Sequence, residues 1–271
     1  MPVKSVLFAL TVTVMMVSSA FAQDGSTGEQ PVRLSSYGSI PPRMLIDCPT
    51  AATLPRASFD VHVRDFSSGG LLTSINIGLH QQFMLGVSYG GTNVLGESKS
   101  AWQNHPEFEV KYQIIPETYS IPAVAIGFAS QGYGDYIEGW DRYRYKSKGF
   151  YAVVSKAYQT YSWATGFHGG INYSLEHTKD EDSSPNFFFG FDMNMNHNVA
   201  IVAEYDLALN DDKKHEEEGF GGKGWGYFSI GMRWIFYERL ELGIDLKNLL
   251  NNRRDVNQFS RELRISYYEF F

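Results

Sequence analysis

The stretch Glu107 to Ile115 reads EFEVKYQII and alternates strictly between polar and apolar residues. Phe108 and Val110 belong to its apolar set, whereas Glu109 and Lys111 belong to its polar set. Successive side chains of a β-strand point to opposite faces of the sheet. This period of two therefore predicts a strand with one apolar face and one charged face.

Eleven further segments follow the same pattern, some less regularly, which gives twelve predicted strands. They span residues 59–66, 72–80, 83–90, 107–115, 123–130, 150–157, 160–175, 187–194, 200–209, 227–236, 239–249 and 262–271. Connections after the even-numbered segments are short, and those after the odd-numbered segments are mostly long and polar. This segregation of loop length is typical of an outer-membrane barrel. The sequence thus predicts an all-β, antiparallel, up-and-down transmembrane β-barrel of about twelve strands over residues 57–271, with short periplasmic turns and long extracellular loops.

The composition limits the classes of function that remain. The 271-residue chain carries a formal net charge of -7, and 15% of its residues are aromatic. A nucleic-acid-binding face would be basic, so no nucleic-acid partner is expected. The single cysteine excludes an internal disulfide framework and a multi-thiolate metal cluster.

The charged phase of the strands predicts a polar lumen, with the apolar phase facing lipid. A soluble two-sheet β protein is the alternative interpretation. Acids outnumber bases on the charged phase, which predicts a narrow lumen with a weak preference for cations. The predicted lumen charges are Asp60, Arg64, Glu109, Lys111, Glu204, Asp206, Arg233, Glu241, Asp245, Lys247 and Arg264.

Aromatic residues cluster near the predicted strand ends, as in the interfacial girdles of membrane proteins. The predicted girdle comprises Tyr143, Tyr145, Tyr151, Tyr158, Tyr161, Trp163, Trp225, Tyr227, Trp234 and Tyr237. The chain also ends on an aromatic strand, and we interpret Tyr267 and Phe271 as part of a C-terminal signal that barrel-assembly machinery recognises.

The N-terminus has the features of an export signal. Lys4 precedes an apolar run over residues 6–17, and Ala20-Phe21-Ala22 supplies a small-residue cleavage site. We therefore predict a signal peptide over residues 1–22 and export to the outer membrane of a Gram-negative-type bacterium. Residues 23–56 form a proline-containing lead-in, which we expect to be flexible or irregular and either periplasmic or inserted into the lumen.

A family resemblance begins in this lead-in. Residues 45–51 read LIDCPTA, and Leu54-Pro55 then lead into the first strand. This stretch, with the glycine-containing segments up to about residue 95, resembles the opening of YjbH-like outer-membrane proteins. The resemblance implies a compact single-barrel version of that family, which is linked to exopolysaccharide production. It also implies polysaccharide or export partners, beside the lipid and lipopolysaccharide that any such barrel contacts.

No catalytic motif accompanies these features. The seven histidines include no His-Glu-x-x-His spacing, although His62 and His80 share the lumen phase and leave a metal site open as an alternative. We expect no cofactor and no enzyme activity. Two functions compete: a narrow channel or export component, and a non-conducting scaffold of an envelope complex. An outer-membrane enzyme is the third alternative.

Overall fold

The computed structural model describes residues 41–97, 99–159, 163–179, 181–196, 198–212, 219–237 and 239–271. These residues form fifteen strands and no helix that could span a membrane. The strands are β1 (Ser58–Phe66), β2 (Gly70–His80), β3 (Phe83–Thr92), β4 (Ala101–Trp102), β5 (Glu107–Ile115), β6 (Ala123–Ala129), β7 (Tyr133–Ile137), β8 (Arg142–Tyr145), β9 (Gly149–Gln159), β10 (Ala164–Tyr173), β11 (Asn186–Asn194), β12 (Val199–Asp206), β13 (Tyr227–Phe236), β14 (Leu240–Lys247) and β15 (Ser260–Phe270).

Twelve of these strands close into an antiparallel barrel. Each pairs with its neighbour along the chain, with β3 passing to β5 and β6 passing to β9. The last strand, β15, returns to pair with β1, where Ser58 lies opposite Phe270. The predicted twelve-stranded barrel is therefore confirmed, and closure leaves every barrel strand hydrogen-bonded on both sides.

The two faces of each strand differ as the period of two requires. On β5, the Phe108 side chain is 58% exposed on the outside, whereas Lys111 is fully buried inside. On β14, Ile244 is exposed and the adjacent Asp245 is buried. Apolar side chains thus cover the outer surface, while charged and polar side chains fill the interior.

The lead-in enters this interior. We call residues 41–55 the lumen segment; its Leu45, Ile46, Cys48, Ala51 and Leu54 are fully buried. It leaves the barrel beside β2, where a Cβ atom on Gly78 would lie 2.0 Å from the Pro55 carbonyl oxygen. Only glycine allows this close passage. The predicted signal peptide and residues 23–40 lie outside the described residues.

The long connection between β6 and β9 also enters the interior. The sequence predicted a polar loop here, but β7 and β8 pair as a hairpin. We call residues 133–145 the lumen hairpin. Its inward residues Tyr133, Arg142 and Tyr143 are buried, so aromatic packing and ion pairing inside the barrel hold a hairpin that has no alternating pattern of its own.

The predicted aromatic girdle is partly wrong. Tyr143, Tyr151 and Tyr227 are buried inside, because each hydroxyl finds a carboxylate there: Glu107 for Tyr143, Glu109 for Tyr151 and Asp211 for Tyr227. Tyr145 stacks edge-on against Tyr227 and is also turned inward. Tyr158, Trp163, Trp225, Trp234 and Tyr237 are exposed, and Tyr161 lies outside the described residues.

Candidate functional site

The lumen segment folds back on itself at its deepest point. The Leu45 N–H donates to the Cys48 carbonyl at 2.9 Å, and the Thr50 N–H donates to the Arg43 carbonyl at 3.1 Å. This turn directs three consecutive backbone N–H groups, those of residues 46–48, at the barrel wall. All three donate to the Glu204 carboxylate of β12 at 2.8–3.0 Å. One wall carboxylate therefore accepts hydrogen bonds from all three N–H groups at the tip of the turn.

The Asp47 side chain at the tip is paired with two wall cations. Arg64 of β1 lies 2.7 Å from Asp47 Oδ1, and Lys247 of β14 lies 2.5 Å from Oδ2. Burial alone would raise the pKa of Asp47, but Arg64 and Lys247 outweigh it and hold the pKa well below its usual range. Asp47 is thus an ionised anchor inside the barrel.

Further wall side chains donate to the carbonyl oxygens of the lumen segment. Arg233 donates to the Leu45 carbonyl and Arg264 to the Ile46 carbonyl, each at 2.9 Å. Lys111 and Gln113 of β5 hold two other carbonyls of the segment, those of residues 43 and 51, each at 2.8 Å. Contacts from opposite sides of the barrel therefore clamp the segment across the lumen.

The eleven predicted lumen charges all lie on the inward phase of their strands. Eight are buried, whereas Glu109, Asp206 and Glu241 remain partly exposed. They pair with one another and with other groups: Arg233 with Asp245 at 2.6 Å, Arg64 with Glu262, Lys111 with Glu109 at 3.7 Å and Lys148 with Asp206. The charges thus belong to a packed network around the lumen segment, and the predicted cation preference stays a prediction.

The lumen hairpin meets the segment from the other end of the barrel. The Tyr133 hydroxyl donates to the Met44 sulfur at 3.1 Å. The Arg64 guanidinium lies 4.5 Å from the Tyr133 ring centre, and Lys247 Nζ lies 4.4 Å from that of Tyr145. The two cations that hold Asp47 therefore also contact the hairpin.

A buried carboxylate fixes the hairpin to the loops above it. Asp211 pairs with Arg142 of the hairpin at 2.9 Å and with Arg253 at 3.3 Å. Burial raises the pKa of Asp211, but these two guanidinium groups outweigh it and lower the pKa. Glu176 accepts the N–H groups of Tyr143 and Ser147. Its pKa is raised to about 7 because burial outweighs those hydrogen bonds.

Between the segment and the wall a cavity of about 180 Å³ remains. It is lined chiefly by β1, β2, β3 and β15, together with residues 41–44 of the lumen segment. His62 faces this cavity, whereas His80 is exposed at the end of β2, so the two histidines do not form the metal site left open above. No metal-binding cluster occurs among the described residues.

Sequence reasoning missed two side-chain trios on the inner wall. His62 contacts Ser266 and Asp60, and His168 contacts Ser155 and Asp192. The first trio joins β1 to β15, the second joins β9, β10 and β11, and the two share no sequence motif. The only available signal was that serine, histidine and aspartate recur on the inward phase of paired strands.

The predicted assembly residues lie at the end of β15. Tyr267 is exposed on the outer face, and its hydroxyl donates to Glu269 at 2.7 Å. The Phe271 ring lies 5.2 Å from that of Phe59. Recognition of these residues by assembly machinery stays a prediction.

No protein-family model and no curated protein matches the chain. Among solved structures, the KdgM porin is similar with a TM-score of 0.45 and 9% identity, over 79% of this chain and 99% of that chain. The NanC porin is similar with a TM-score of 0.41 and 13% identity over the same shares. The Acinetobacter baumannii outer membrane protein Omp33 has a TM-score of 0.42 and 9% identity, over 79% of this chain and 98% of its own.

Proposed function

We propose that this protein is an outer-membrane β-barrel channel that its own lumen segment holds closed. The observation that carries the proposal is the combination of an apolar outer surface with a charged interior whose centre is filled by residues 41–55. A closed barrel with lipid outside and polar groups inside satisfies both sets of side chains. The segment is held by hydrogen bonds and ion pairs, which water or a solute can replace, and by apolar packing such as that of Leu45 and Ile46 on Val202.

The membrane location has support from the outward residues. Apolar side chains such as Val110, Tyr112 and Ile244 are exposed around the barrel, which water would disfavour. We expect Ile244→Arg to cost about 2–4 kcal/mol if it lies near the bilayer midplane, whereas Ile244→Leu should fold normally. Urea-dependent folding into lipid vesicles measures both. Equal stability of both variants would argue against lipid contact at this position.

A more specific proposal concerns the solute that passes through the channel and the partners of the protein. The resemblance of residues 45–95 to YjbH-like proteins supports a role in exopolysaccharide production, as a narrow channel or export component. The partners would then be polysaccharide or export proteins, together with outer-membrane lipid, lipopolysaccharide and the barrel-assembly machinery. The excess of acids on the inward phase supports a weak cation preference once the segment has moved.

A non-conducting scaffold is the second candidate. One observation favours it: the lumen hairpin and the lumen segment fill the interior from opposite ends and touch at Tyr133 and Met44. In this case the buried ion pairs would serve to hold a rigid barrel, and no condition would open it.

Single-channel recording in planar bilayers separates the two candidates. We expect the native chain to be mostly closed and Asp47→Arg to open, because a third cation beside Arg64 and Lys247 repels the tip. Reversal potentials under a salt gradient then give the ion preference. A clear anion preference would contradict the proposed lumen charge, and closed Asp47→Arg channels in a folded barrel would favour the scaffold.

A reversible lock provides the matched control. The Ala51 N–H donates to Ser155 Oγ at 2.8 Å, so the two residues are neighbours across the segment and β9. We would introduce Ala51→Cys and Ser155→Cys together with Cys48→Ser and Asp47→Arg. Oxidation should close this channel and reduction should reopen it. Equal conductance of the oxidised and the reduced protein would mean that the segment is not the gate.

A further inference from the structure

The cavity beside the lumen segment contains a serine, a histidine and an aspartate in hydrogen-bonding sequence. Ser266 Oγ of β15 lies 2.6 Å from His62 Nδ1, and His62 Nε2 lies 3.0 Å from Asp60 Oδ1. Strand pairing makes this arrangement rigid, because His62 and Ser266 are directly opposite in register and Asp60 is two residues before His62 on the same face. All three side chains line the cavity.

Two tautomers of His62 fit its contacts, and the one protonated at Nε2 has the proton order of a hydrolytic triad. With a proton on Nε2, His62 donates to Asp60, and its Nδ1 accepts from the Ser266 hydroxyl. Asn76 of β2 donates to the same Asp60 oxygen at 2.7 Å, and Arg43 pairs with the other oxygen. Asp60 is therefore held as a carboxylate that orients the imidazole, which is the role of the acid in a hydrolytic triad.

Arg43 is the cation of this site. Its Nη2 atom lies 3.3 Å from His62 Nε2, and it belongs to the lumen segment. Tyr268 lies two residues beyond Ser266 on the same inward face and lines the same cavity. Its hydroxyl is close to the Ser58 side chain and offers a donor to an oxygen that becomes negative beside Ser266.

The second trio differs from the first in whether its serine is accessible from the cavity. His168 lies 2.8 Å from Ser155 Oγ and 2.7 Å from Asp192 Oδ1, which repeats the same contacts. However, Ser155 Oγ also accepts the Ala51 N–H and does not line the cavity. Its oxygen is occupied by the segment, whereas Ser266 faces open space.

We propose that Ser266, His62 and Asp60 form a hydrolytic site for short-chain carboxylic esters. Ser266 Oγ attacks the ester carbonyl carbon while its proton passes to His62 Nδ1, and the ester C–O bond breaks as His62 returns that proton to the leaving alcohol. Water then attacks the acyl-serine and gives a proton to His62. The Ser266 oxygen leaves with that proton, which releases the carboxylic acid and restores the hydroxyl.

The size of the cavity sets the substrate class. A cavity of about 180 Å³ accommodates an acyl group of a few carbons, with the alcohol part extending along the lumen. Ser74, Asn76 and Gln131 on its wall are polar partners suited to a hydroxylated alcohol. This activity is independent of conduction, so it can be present or absent whether or not the lumen opens.

The experiment uses the purified full chain, folded in detergent, with a fluorophosphonate probe and 4-nitrophenyl acetate. We expect mass spectrometry to locate the probe on Ser266 and not on Ser155. Ser266→Ala and His62→Gln should each lower ester hydrolysis on the order of 100-fold or more. Tyr268→Phe should lower kcat more than it raises KM.

The control is Ser88→Ala, which removes a cavity-lining serine whose hydroxyl donates to Gln131 and contacts no histidine. It should keep native labelling and hydrolysis. Heat-modifiable gel mobility verifies that each variant is a folded barrel. If the folded native chain leaves Ser266 unlabelled, or if His62→Gln is labelled and hydrolyses ester at the native rate, the proposal is overturned.

Discussion

The lumen segment and the lumen hairpin fill the same barrel by different chemistry. The segment is held through its backbone, whose N–H groups meet Glu204 and whose carbonyls meet Arg233 and Arg264. The hairpin is held through side chains, chiefly Arg142 on Asp211 and the buried tyrosines. A backbone can be bound in this way only where the barrel wall places hydrogen-bond donors opposite its carbonyl groups and acceptors opposite its N–H groups.

This difference indicates which element can leave the lumen. Among the described residues, the segment is joined to a barrel strand at its exit into β1, whereas the hairpin is joined to barrel strands at both ends. Asp47 is the side chain of the segment that pairs with both shared cations, Arg64 and Lys247, which Glu262 of β15 also contacts. We therefore expect the segment to leave as a unit and the hairpin to loosen only locally.

The largest expected effect comes from Asp47→Arg. It leaves Glu262 as the acid that Arg64 and Lys247 share and adds a third buried cation beside them, so we expect a cost above the about 3–5 kcal/mol typical of breaking a buried ion pair. Cys48 reports the release, because it is the single cysteine and is fully buried. Burial, then the nearby Glu204, raises the pKa of its thiol and slows its reaction further.

We expect a water-soluble maleimide to label Cys48 on the order of 100-fold faster in Asp47→Arg than in the native protein. Glu97→Arg adds the same charge change in an exposed loop and serves as the control. Equal labelling rates in all three proteins would mean that Asp47 does not hold the segment.

The next effect concerns the hairpin alone. Asp211→Ala removes the carboxylate shared by Arg142 and Arg253, at a cost of about 3–5 kcal/mol. Trypsin should then cleave the intact barrel at Arg142 or Arg144, while labelling of Cys48 changes only a few-fold. The neighbouring Asp212→Ala should resist trypsin as the native protein does. Simultaneous release of Cys48 would contradict the independence of the two elements.

A smaller effect tests the contact between the elements. Tyr133→Leu removes the aromatic ring beside Arg64 and Lys247, which is worth about 0.5–2 kcal/mol for a cation–π contact. Maleimide labelling of Cys48 should accelerate several-fold. Tyr133→Phe keeps the ring and loses only the hydroxyl contact with Met44, so it should label more slowly than Tyr133→Leu. Faster labelling of Tyr133→Phe than of Tyr133→Leu would mean that the hydroxyl contact with Met44, and not the ring, couples the hairpin to the segment.

The smallest effect is a pH dependence of the hairpin. The folded-state pKa of Glu176 is about 7, above its ordinary value of 4.5. Its contribution to docking is therefore complete below about pH 4.5 and is lost as the pH rises through 7. Amide exchange at Tyr143 and Ser147, corrected for intrinsic rates, should reveal weaker protection at pH 8 than at pH 5. Glu176→Gln stays neutral and should remove this change; an unchanged pH profile would exclude Glu176 as its cause.

Strand prediction succeeded because alternation is a local property. In β5, the polarity of each residue from Glu107 to Gln113 predicts the face of the sheet on which its side chain lies. The same holds for Leu240 to Lys247 in β14. The assignment of Asp245 and Lys247 to the inner phase followed from this pattern alone. The hairpin was missed because Tyr133 and Tyr143 acquire their inward direction from the barrel around them.

The number of barrel strands, the inward charges and the outward apolar surface were thus predictable, because each follows from a two-residue period. That Glu204 receives three N–H groups from residues 46–48, and that His62 lies between Ser266 and Asp60, follows from the closed barrel. These groups are separated by up to about two hundred residues along the chain. Barrel closure brings them together, and no local pattern of residues specifies which side chain will lie opposite another across the lumen.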